Sequence, residues 1–477
     1  MSKILMCSSE VAPFAKTGGL GDVLGALPQA LLDRGHDIRV IMPKYGCIPD
    51  EFRDKMEFLF FTYVPLGWRR KYCGIFKLEQ GGITYYFVDN EYYFSDPYLY
   101  MWNDLERFAF YDKACLEVIK ILDFKPDIIH CHDWQAGMIP VLLNAYYVND
   151  KFYRGIKTVF TIHNLRYQGI YSTDAVADFY SLGPDFFTDD KLEFYGCANL
   201  LKGGIVYSDY ITTVSPTYAN EIKTPLGGEK LDGLLLARSN SLSGIINGID
   251  YSVYNPQTDP YLYENFTSLS VEDGKKLNKI KLQEQLGLPV DGKKAMVAII
   301  SRLVDQKGFD LIAKAMGDLI QLDIQLVIIG TGEAKYEEML RHAAWCNPTK
   351  VSANIMFSND LAHKLYAAAD LFLMPSLYEP CGLSQLISFS YGTIPIVRET
   401  GGLIDTVVPY NKYTGEGNGF SFAPYDFHDM MYTLRMALEH FGDKETWNNL
   451  VKTAMKQKFS WDKSATEYES IYNSLTG

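Results

Sequence analysis

Short, continuous apolar runs recur along the whole chain, and stretches with the spacing of amphipathic helices separate them. In the first half the predicted strands are Ile4–Ser8, Ile38–Met42, Asp127–His130, Thr158–Ile162 and Tyr210–Val214. In the second half they are Met296–Ile300, Leu326–Ile329, Asn354–Phe357, Leu371–Met374 and Ile394–Val397. Apolar strands that alternate with helices are typical of parallel sheets covered by helices on both faces. The sequence therefore predicts an α/β protein with doubly wound parallel sheets.

The chain is long enough for more than one such sheet, since domains average about 150 residues. A boundary is predicted at Ile246-Asn247-Gly248, after which a loop-rich stretch interrupts the alternation. We expect domains at 1–245 and 246–457, followed by a segment at 458–477 whose apolar spacing fits a helix packed on a neighbouring surface. Within the first domain, two apolar runs flank Gly81-Gly82, which indicates an inserted β-hairpin.

The composition limits the possible partners and location. The formal net charge of −13 gives the protein little electrostatic attraction for nucleic acid or an anionic membrane. The eight cysteines form no C-x-x-C pair, which favours a reducing compartment. We find no signal-peptide pattern and no apolar run of the ~18 residues that a membrane span needs. A cytoplasmic protein is expected.

A glycine-rich turn, Lys16-Thr17-Gly18-Gly19-Leu20-Gly21-Asp22, lies between the first predicted strand and the first helix. Glycines there let the backbone approach a ligand, and amide groups at a helix N-terminus attract anions. A turn with glycines for geometry alone is an equally good interpretation of this motif by itself. A nicotinamide site is a weak alternative, because Pro43-Lys44-Tyr45 stands where a ribose-binding acidic residue is needed.

Two further turns follow predicted strands of the second domain. Arg302 and Lys307 lie on the turn Ser301–Gly308, where both cations can converge on one diphosphate. They would otherwise be solvated surface charges, but their position at the carboxyl end of a strand favours ligand binding. In the turn Met374–Gln385, Glu379 stands beside amide groups that open a helix. That carboxylate is suited to sugar hydroxyl groups.

Histidines mark two strand ends of the first domain. His130 and His132 share one face of a strand and are followed by Asp133, and His163 ends the next strand. No third and fourth ligand stands at a recognisable spacing, so a structural or substrate-contacting role is favoured over a zinc site. The signatures of serine hydrolases and P-loop nucleotidases are missing from the sequence.

Taken in order, these stretches resemble the bacterial glycogen synthases and plant starch synthases. The landmarks are Lys16–Leu20, His132-Asp133-Trp134, Thr161–Asn164, Asn247–Asp250, Ser301–Leu303 with Gln306–Gly308, and Glu379–Leu383. The resemblance runs over essentially the whole chain. It implies the GT-B fold: two Rossmann-like domains with a deep cleft between them and a last helix that crosses back to the first. It also implies a retaining glucosyltransferase that moves glucose from ADP-glucose to the non-reducing end of an α-1,4-glucan and releases ADP.

The resemblance also implies roles for individual residues. Arg302 and Lys307 are expected to bind the diphosphate, His163 to lie against the transferred glucose, Glu379 to hold sugar hydroxyl groups, and Phe357 to stack on adenine. The full donor-binding set is Lys16, Gly18, Gly19, Asn247, Arg302, Lys307, Phe357, Glu379, Cys381, Gly382, Leu383 and Ser384. The catalytic residues are expected to be Lys16, His163, Arg302, Lys307 and Glu379. On the acceptor side the expected residues are Asp22, His132 and Asp133.

The sequence departs from the family pattern at two positions. Gln135 stands where many relatives have a histidine, and Ile387 stands where many related retaining transferases have a second glutamate. Only Glu379 can therefore be credited as the glutamate of this motif. We expect catalysis without a metal or other cofactor, with ADP-glucose and a glucan or malto-oligosaccharide as the partners. A glycan-binding protein without activity stays open as an alternative.

Overall fold

The computed structural model describes residues 1–477, and the chain divides into two compact units. The first unit comprises Met1–Ile245 and Trp461–Gly477, and the second comprises Ile246–Ser460. Residues 458–460, which we expected to belong to the last helix, are part of the second unit. The backbone of Phe459 explains this, because its N–H donates to the Tyr251 hydroxyl over 3.0 Å and its carbonyl accepts from Ile249 over 2.8 Å.

A nine-stranded sheet forms the centre of the first unit, which also contains a small three-stranded sheet. The strands are β1 (Lys3–Cys7), β2 (Asp37–Pro43), β3 (Glu57–Leu66), β4 (Arg69–Gln80), β5 (Ile83–Asp89), β6 (Ile128–His132), β7 (Lys157–Ile162), β8 (Ile170–Ser172), β9 (Glu193–Phe194), β10 (Cys197–Asn199), β11 (Tyr210–Thr213) and β12 (Leu242–Gly244). The large sheet has the order β12-β11-β7-β6-β1-β2-β5-β4-β3.

This sheet is parallel from β12 to β5, and β3 and β4 extend it in antiparallel fashion. The predicted hairpin is confirmed, because β4 and β5 pair across a turn in which Gly81 and Gly82 have φ of 61° and 83°. Two consecutive positive φ angles match the twist of a two-residue hairpin and favour glycine at both positions.

The helices of the first unit connect these strands. They are α1 (Gly19–Leu32), α2 (Asp50–Arg53), α3 (Glu91–Phe94), α4 (Asp104–Ile121), α5 (Met138–Leu142), α6 (Thr173–Tyr180), α7 (Leu200–Tyr207), α8 (Pro216–Glu221) and α9 (Asp232–Ala237). None of the protein's helices has both the length and the apolar character needed to span a membrane.

A fully parallel six-stranded sheet forms the centre of the second unit, in the order β15-β14-β13-β16-β17-β18. Its helices and strands are α10 (Val271–Leu286), β13 (Ala295–Ile300), α11 (Phe309–Gln321), β14 (Ile324–Ile329), α12 (Ala334–Cys346), β15 (Val351–Asn354), α13 (Asn359–Ala368), β16 (Leu371–Met374), α14 (Ser384–Ser390), β17 (Ile394–Arg398), α15 (Gly402–Thr406), β18 (Phe420–Phe422), α16 (Phe427–Gly442) and α17 (Lys444–Met455). The last helix of the chain, α18 (Trp461–Thr476), belongs to the first unit.

The two parallel sheets confirm the predicted α/β class, but one predicted strand was wrong in position. The run Asn354–Phe357 was expected to be a strand, whereas β15 covers Val351–Asn354 and ends where that run begins. Met356 and Phe357 are exposed rather than buried in the sheet. The Ser358 side chain then caps α13 by accepting from the N–H of Leu361. The apolar run is therefore a loop in which Ile355 packs against the core, whereas Met356 and Phe357 are exposed.

Candidate functional site

The glycine-rich turn after β1 is built around a carboxylate that the sequence analysis missed, Glu10. This buried side chain accepts from the backbone N–H groups of Thr17 and Gly18 over 2.6 and 3.1 Å. It also accepts from the Thr17 and Tyr100 hydroxyls over 2.7 and 2.6 Å. The amides of Thr17 and Gly18, which precede the helix, thus have their hydrogen-bond partner within the protein. Gly19 is the first residue of α1.

Lys16 and Asp22 form an ion pair across this turn. The distance between Lys16 Nζ and Asp22 Oδ1 is 2.7 Å, and about a third of each side chain is exposed. Burial raises the pKa of the Asp22 carboxyl, and the neighbouring Lys16 opposes that rise. A Cβ at Gly21 would lie 2.4 Å from the Cβ of Lys16, so only glycine lets the turn pass this close to α1. The pairing fixes where the Lys16 ammonium group lies.

A second group of side chains lies at the carboxyl ends of the neighbouring strands β6 and β7. His132 Nδ1 and His163 Nε2 are 3.0 Å apart, and the backbone N–H of His163 donates to Asp133 Oδ1 over 2.8 Å. The φ of Asp133 is 55° with ψ near 180°, a conformation that costs a non-glycine residue about 1–3 kcal/mol. The Asp133 N–H donates to the Thr161 carbonyl over 3.0 Å, which helps to hold that conformation.

Desolvation decides the charge of this group. Burial lowers the pKa of His163 to about 3 and that of His132 well below its usual value, so both rings are neutral near pH 7. Burial raises the pKa of Asp133 to about 7, with a smaller contribution from the negative charge of Glu10. The glycine-rich turn and the histidine group are therefore electrostatic neighbours at one edge of the sheet.

In the second unit, the turns after β13 and β16 meet through an ion pair. Lys307 Nζ lies 2.6 Å from Glu379 Oε2, and the two side chains are only 19% and 7% exposed. The Ser376 hydroxyl donates to the same oxygen over 3.0 Å. Gly308, with φ of 79°, has the Pro375 carbonyl 2.1 Å from where a Cβ would be, so a side chain there would separate the turns. Arg302 lies exposed on the first turn, with a guanidinium nitrogen 3.4 Å from the Gln306 side-chain oxygen.

The turn that carries Glu379 continues into the amides that open α14. Cys381 is buried, and burial raises the pKa of its thiol to about 12, so the residue is a neutral thiol. The backbone of Asn247 forms a hydrogen bond with that sulfur. Asn247 is itself buried and its Oδ1 has no hydrogen-bond partner in the protein. After Gly382 and Leu383, α14 begins at Ser384.

Phe357 lies on another loop of the second unit. It follows β15 in the loop before α13 and is 82% exposed. An aromatic side chain this exposed does not fill the core, so packing does not explain why a phenylalanine stands at this position. None of the protein's His, Cys, Asp and Glu side chains form a group of three or more that could hold a metal ion.

Two family models match the chain in succession. The model described as the starch synthase catalytic domain matches residues 3–237, and the model of group 1 glycosyl transferases matches residues 281–457. The glycogen synthase of Lachnospira eligens is 53% identical over 478 residues, which is 100% of both chains. The glycogen synthase of Clostridium perfringens is 52% identical over 474 residues, covering 99% of this chain and 98% of that relative.

Solved structures also resemble the chain. The catalytic domain of starch synthase IV from Arabidopsis thaliana, bound to ADP and acarbose, superposes with a TM-score of 0.93 at 34% identity. The match covers 100% of this chain and 99% of that one. A sucrose-phosphate synthase from Thermosynechococcus elongatus superposes with a TM-score of 0.64 at 16% identity, which indicates a shared fold only.

Proposed function

The chain belongs to the family of glycogen and starch synthases, and from that premise we propose that it extends an α-1,4-glucan with glucose from ADP-glucose. The family assignment makes the chain a glycosyltransferase with a two-domain GT-B fold. The proposal concerns the finer chemistry: the ADP-glucose donor, transfer to the non-reducing end, and retention of the anomeric configuration.

The ion pair between Lys307 and Glu379 is the observation that carries this proposal. Adjacent parallel strands deliver both side chains to one edge of the sheet, where open α/β sheets bind ligands. When the anomeric C–O bond breaks, negative charge grows on the β-phosphate of ADP and positive charge grows on the glucose. We assign the first charge to Lys307 and Arg302, because fixed cations that stabilise developing charge make a large catalytic contribution. Glu379 then holds the hydroxyl groups of the sugar.

The first unit supplies the groups proposed to contact glucose and its acceptor. We assign the transferred glucose to His163, whose ring is neutral and whose Nδ1 has no hydrogen-bond partner within the protein. We propose Asp22 and Asp133 for the acceptor side, but not His132, because its ring is fully buried and its one hydrogen bond joins it to His163. Lys16 is proposed to face the donor. Its ammonium group is already within 2.7 Å of Asp22, so that pair has to open or be shared when the donor binds.

We propose that no metal takes part, because Lys16, Arg302 and Lys307 supply positive charge without one. An excess of EDTA should leave the rate of ADP release unchanged. A loss of activity that Mg²⁺ restores would contradict this. We also propose a cytoplasmic enzyme, which the eight unpaired cysteines support.

ADP release from ADP-glucose, measured with and without glycogen, tests the proposed function. Release that depends on glycogen is expected, because transfer needs an acceptor. Release at the same rate without glycogen would indicate hydrolysis. Tight glycogen binding without any ADP release would indicate the alternative of a binding protein.

A further inference from the structure

One hydrogen bond joins His132 and His163, and a single hydrogen atom lies in it. The nitrogens involved are Nδ1 of His132 and Nε2 of His163, 3.0 Å apart. Because burial keeps both rings neutral, each carries one N–H group and one bare nitrogen. The ring that donates in this contact uses its only N–H group there, so its other nitrogen is bare. The ring that accepts carries its N–H group on its other nitrogen.

The second nitrogen of His132 distinguishes the two arrangements. His132 Nε2 is buried and has no hydrogen-bond partner in the protein. If His163 donated, His132 would carry its proton on Nε2, as a buried N–H group without an acceptor. Such orphaned donors are rare in proteins, whereas unsatisfied buried acceptors are tolerated somewhat better. The arrangement with Nδ1–H on His132 and a bare Nε2 is therefore favoured.

We propose that His132 is a positioning residue: it donates from Nδ1 to His163 Nε2 and so fixes the proton of His163 on Nδ1. His163 can then donate one hydrogen bond to an oxygen of the bound donor sugar. The identity of that sugar rests on the proposed function, but the position of the proton does not.

The surroundings hold both rings in place for this role. The His132 ring packs against the His130 ring, with centroids 4.1 Å apart and ring planes tilted by 32°. The His130 ring is fixed at both nitrogens, by the Tyr472 hydroxyl at 2.8 Å and the Thr161 hydroxyl at 2.6 Å. The hydrogen bond from the His163 backbone to Asp133 fixes the start of the loop that carries the second ring. Rotation of His132 would therefore break its hydrogen bond to His163 and its contact with a ring that is itself held in place.

Three substitutions of His132 separate positioning from simple packing. In H132N the amide nitrogen reaches the place of Nδ1 and can still donate, whereas in H132Q it reaches the place of Nε2. H132L has no donor. We expect H132N to keep kcat within about threefold, and H132Q and H132L to lose about tenfold or more with little change in the KM for glucan. Equal kcat losses in H132N and H132L would overturn the proposal.

A buried histidine at the amino ends of the strands of the same sheet provides the matched control. His36 precedes β2, and Asp37 pairs with Lys3 at the amino end of β1. H36Q should leave kcat unchanged even if it lowers the thermal midpoint. A kcat loss in H36Q as large as that in H132Q would show that any buried histidine of this unit has the effect, and would count against positioning.

The proton position itself can be observed by NMR of protein labelled with ¹⁵N-histidine, because protonated and bare imidazole nitrogens have very different shifts. The His163 signals are identified by their loss in H163A. We expect a protonated Nδ1 and a bare Nε2 in the unaltered protein and in H132N, and a mixture in H132L. A protonated Nε2 in the unaltered protein would overturn the proposal. Since this measurement needs no turnover, the expected tautomer in a protein without glucosyl transfer would overturn the proposed function alone.

Discussion

Lys307 and Glu379 are nearly buried and lie on turns 72 residues apart in the chain, so each depends on the other for compensation of its charge. Removal of one partner from a buried pair leaves an uncompensated charge, which destabilises a protein markedly. Any loss of activity on substitution therefore has two possible origins, a missing catalytic charge and a weakened fold. Arg302 is exposed, so its removal leaves no charge buried without compensation, which makes the two cations informative as a pair.

We predict that Lys307→Ala and Arg302→Ala each lower kcat by about a hundredfold or more, which corresponds to ~3 kcal/mol of transition-state stabilisation. Lys307→Ala should also lower the thermal midpoint, whereas Arg302→Ala should not. Steady-state kinetics and thermal unfolding of both variants provide the test. Lys335→Ala is the control, because that lysine pairs with Asp305 and Glu333 on the surface and should be dispensable. Unaltered kinetics in both active-site variants would contradict the diphosphate assignment.

Asp133 is predicted to make stability depend on pH. Burial raises its pKa to about 7 in the folded protein, compared with 3.8 for an ordinary aspartate. Between pH 3.8 and about 7 the carboxyl of Asp133 is ionised in the unfolded chain but protonated in the folded protein. The contribution of Asp133 to stability is therefore full below pH 3.8. It declines as the pH rises to about 7.

Asp133→Asn removes this titration while keeping a side chain of the same size and shape, with an oxygen that can still accept from the His163 N–H. In urea unfolding, the stability of the unaltered protein relative to this variant should fall as the pH rises through the window. A difference in unfolding free energy that stays constant across the window would contradict the prediction.

Glu10 is a residue of the candidate site that could not be predicted from the sequence. The glycines and Lys16 of the turn follow a recognisable motif, but a carboxylate that satisfies the turn's own amides has no periodic or motif signal. Its position shortly after the first strand, which ends at Cys7, is the one clue in the sequence, since the carboxyl ends of parallel strands form the ligand-binding end of the sheet. Only the folded turn shows that its acceptor atoms meet Thr17 and Gly18.

Among the elements, the loop between β15 and α13 is where sequence and structure differed most. The run Ile355-Met356-Phe357 has strand-like composition, yet the strand ends at Asn354, whose side-chain amide donates to the Ile328 carbonyl over 3.2 Å. An apolar run of this length cannot be told from a short strand by pattern alone. The exposed ring of Phe357 that results is compatible with the proposed stacking on adenine.

Phe357→Ala is predicted to raise the KM for ADP-glucose about tenfold, since stacking on a base contributes roughly 1–3 kcal/mol. The thermal midpoint should stay unchanged, because a ring that is 82% exposed leaves no cavity. Phe357→Tyr should preserve the KM. Trp345→Ala, which removes an aromatic ring of similar exposure on α12, is the matched control and should have no effect. A lowered midpoint with an unchanged KM would show that the ring has a packing role instead.

At the scale of the whole molecule, the α/β class and most strands were predictable from the sequence. Buried parallel strands such as β13 and β16 are apolar throughout, so they can be predicted without knowing which strands lie beside them. The side-chain pairings within each unit were not predictable. Lys307 meets Glu379, and His132 meets His163, because strand order brings distant turns together. Strand order is a property of the folded sheet, and local pattern does not encode it.

The central claim is that this chain transfers glucose from ADP-glucose to an α-glucan with retention. ADP-glucose labelled with ¹³C at the anomeric carbon, incubated with maltotriose and followed by NMR, tests donor, acceptor, linkage and stereochemistry together. We predict that the label moves into an α-1,4-linked residue at the non-reducing end, and that labelled UDP-glucose reacts more slowly. Label that appears in free glucose or in a β-linked residue, or that moves faster from UDP-glucose, would contradict the account.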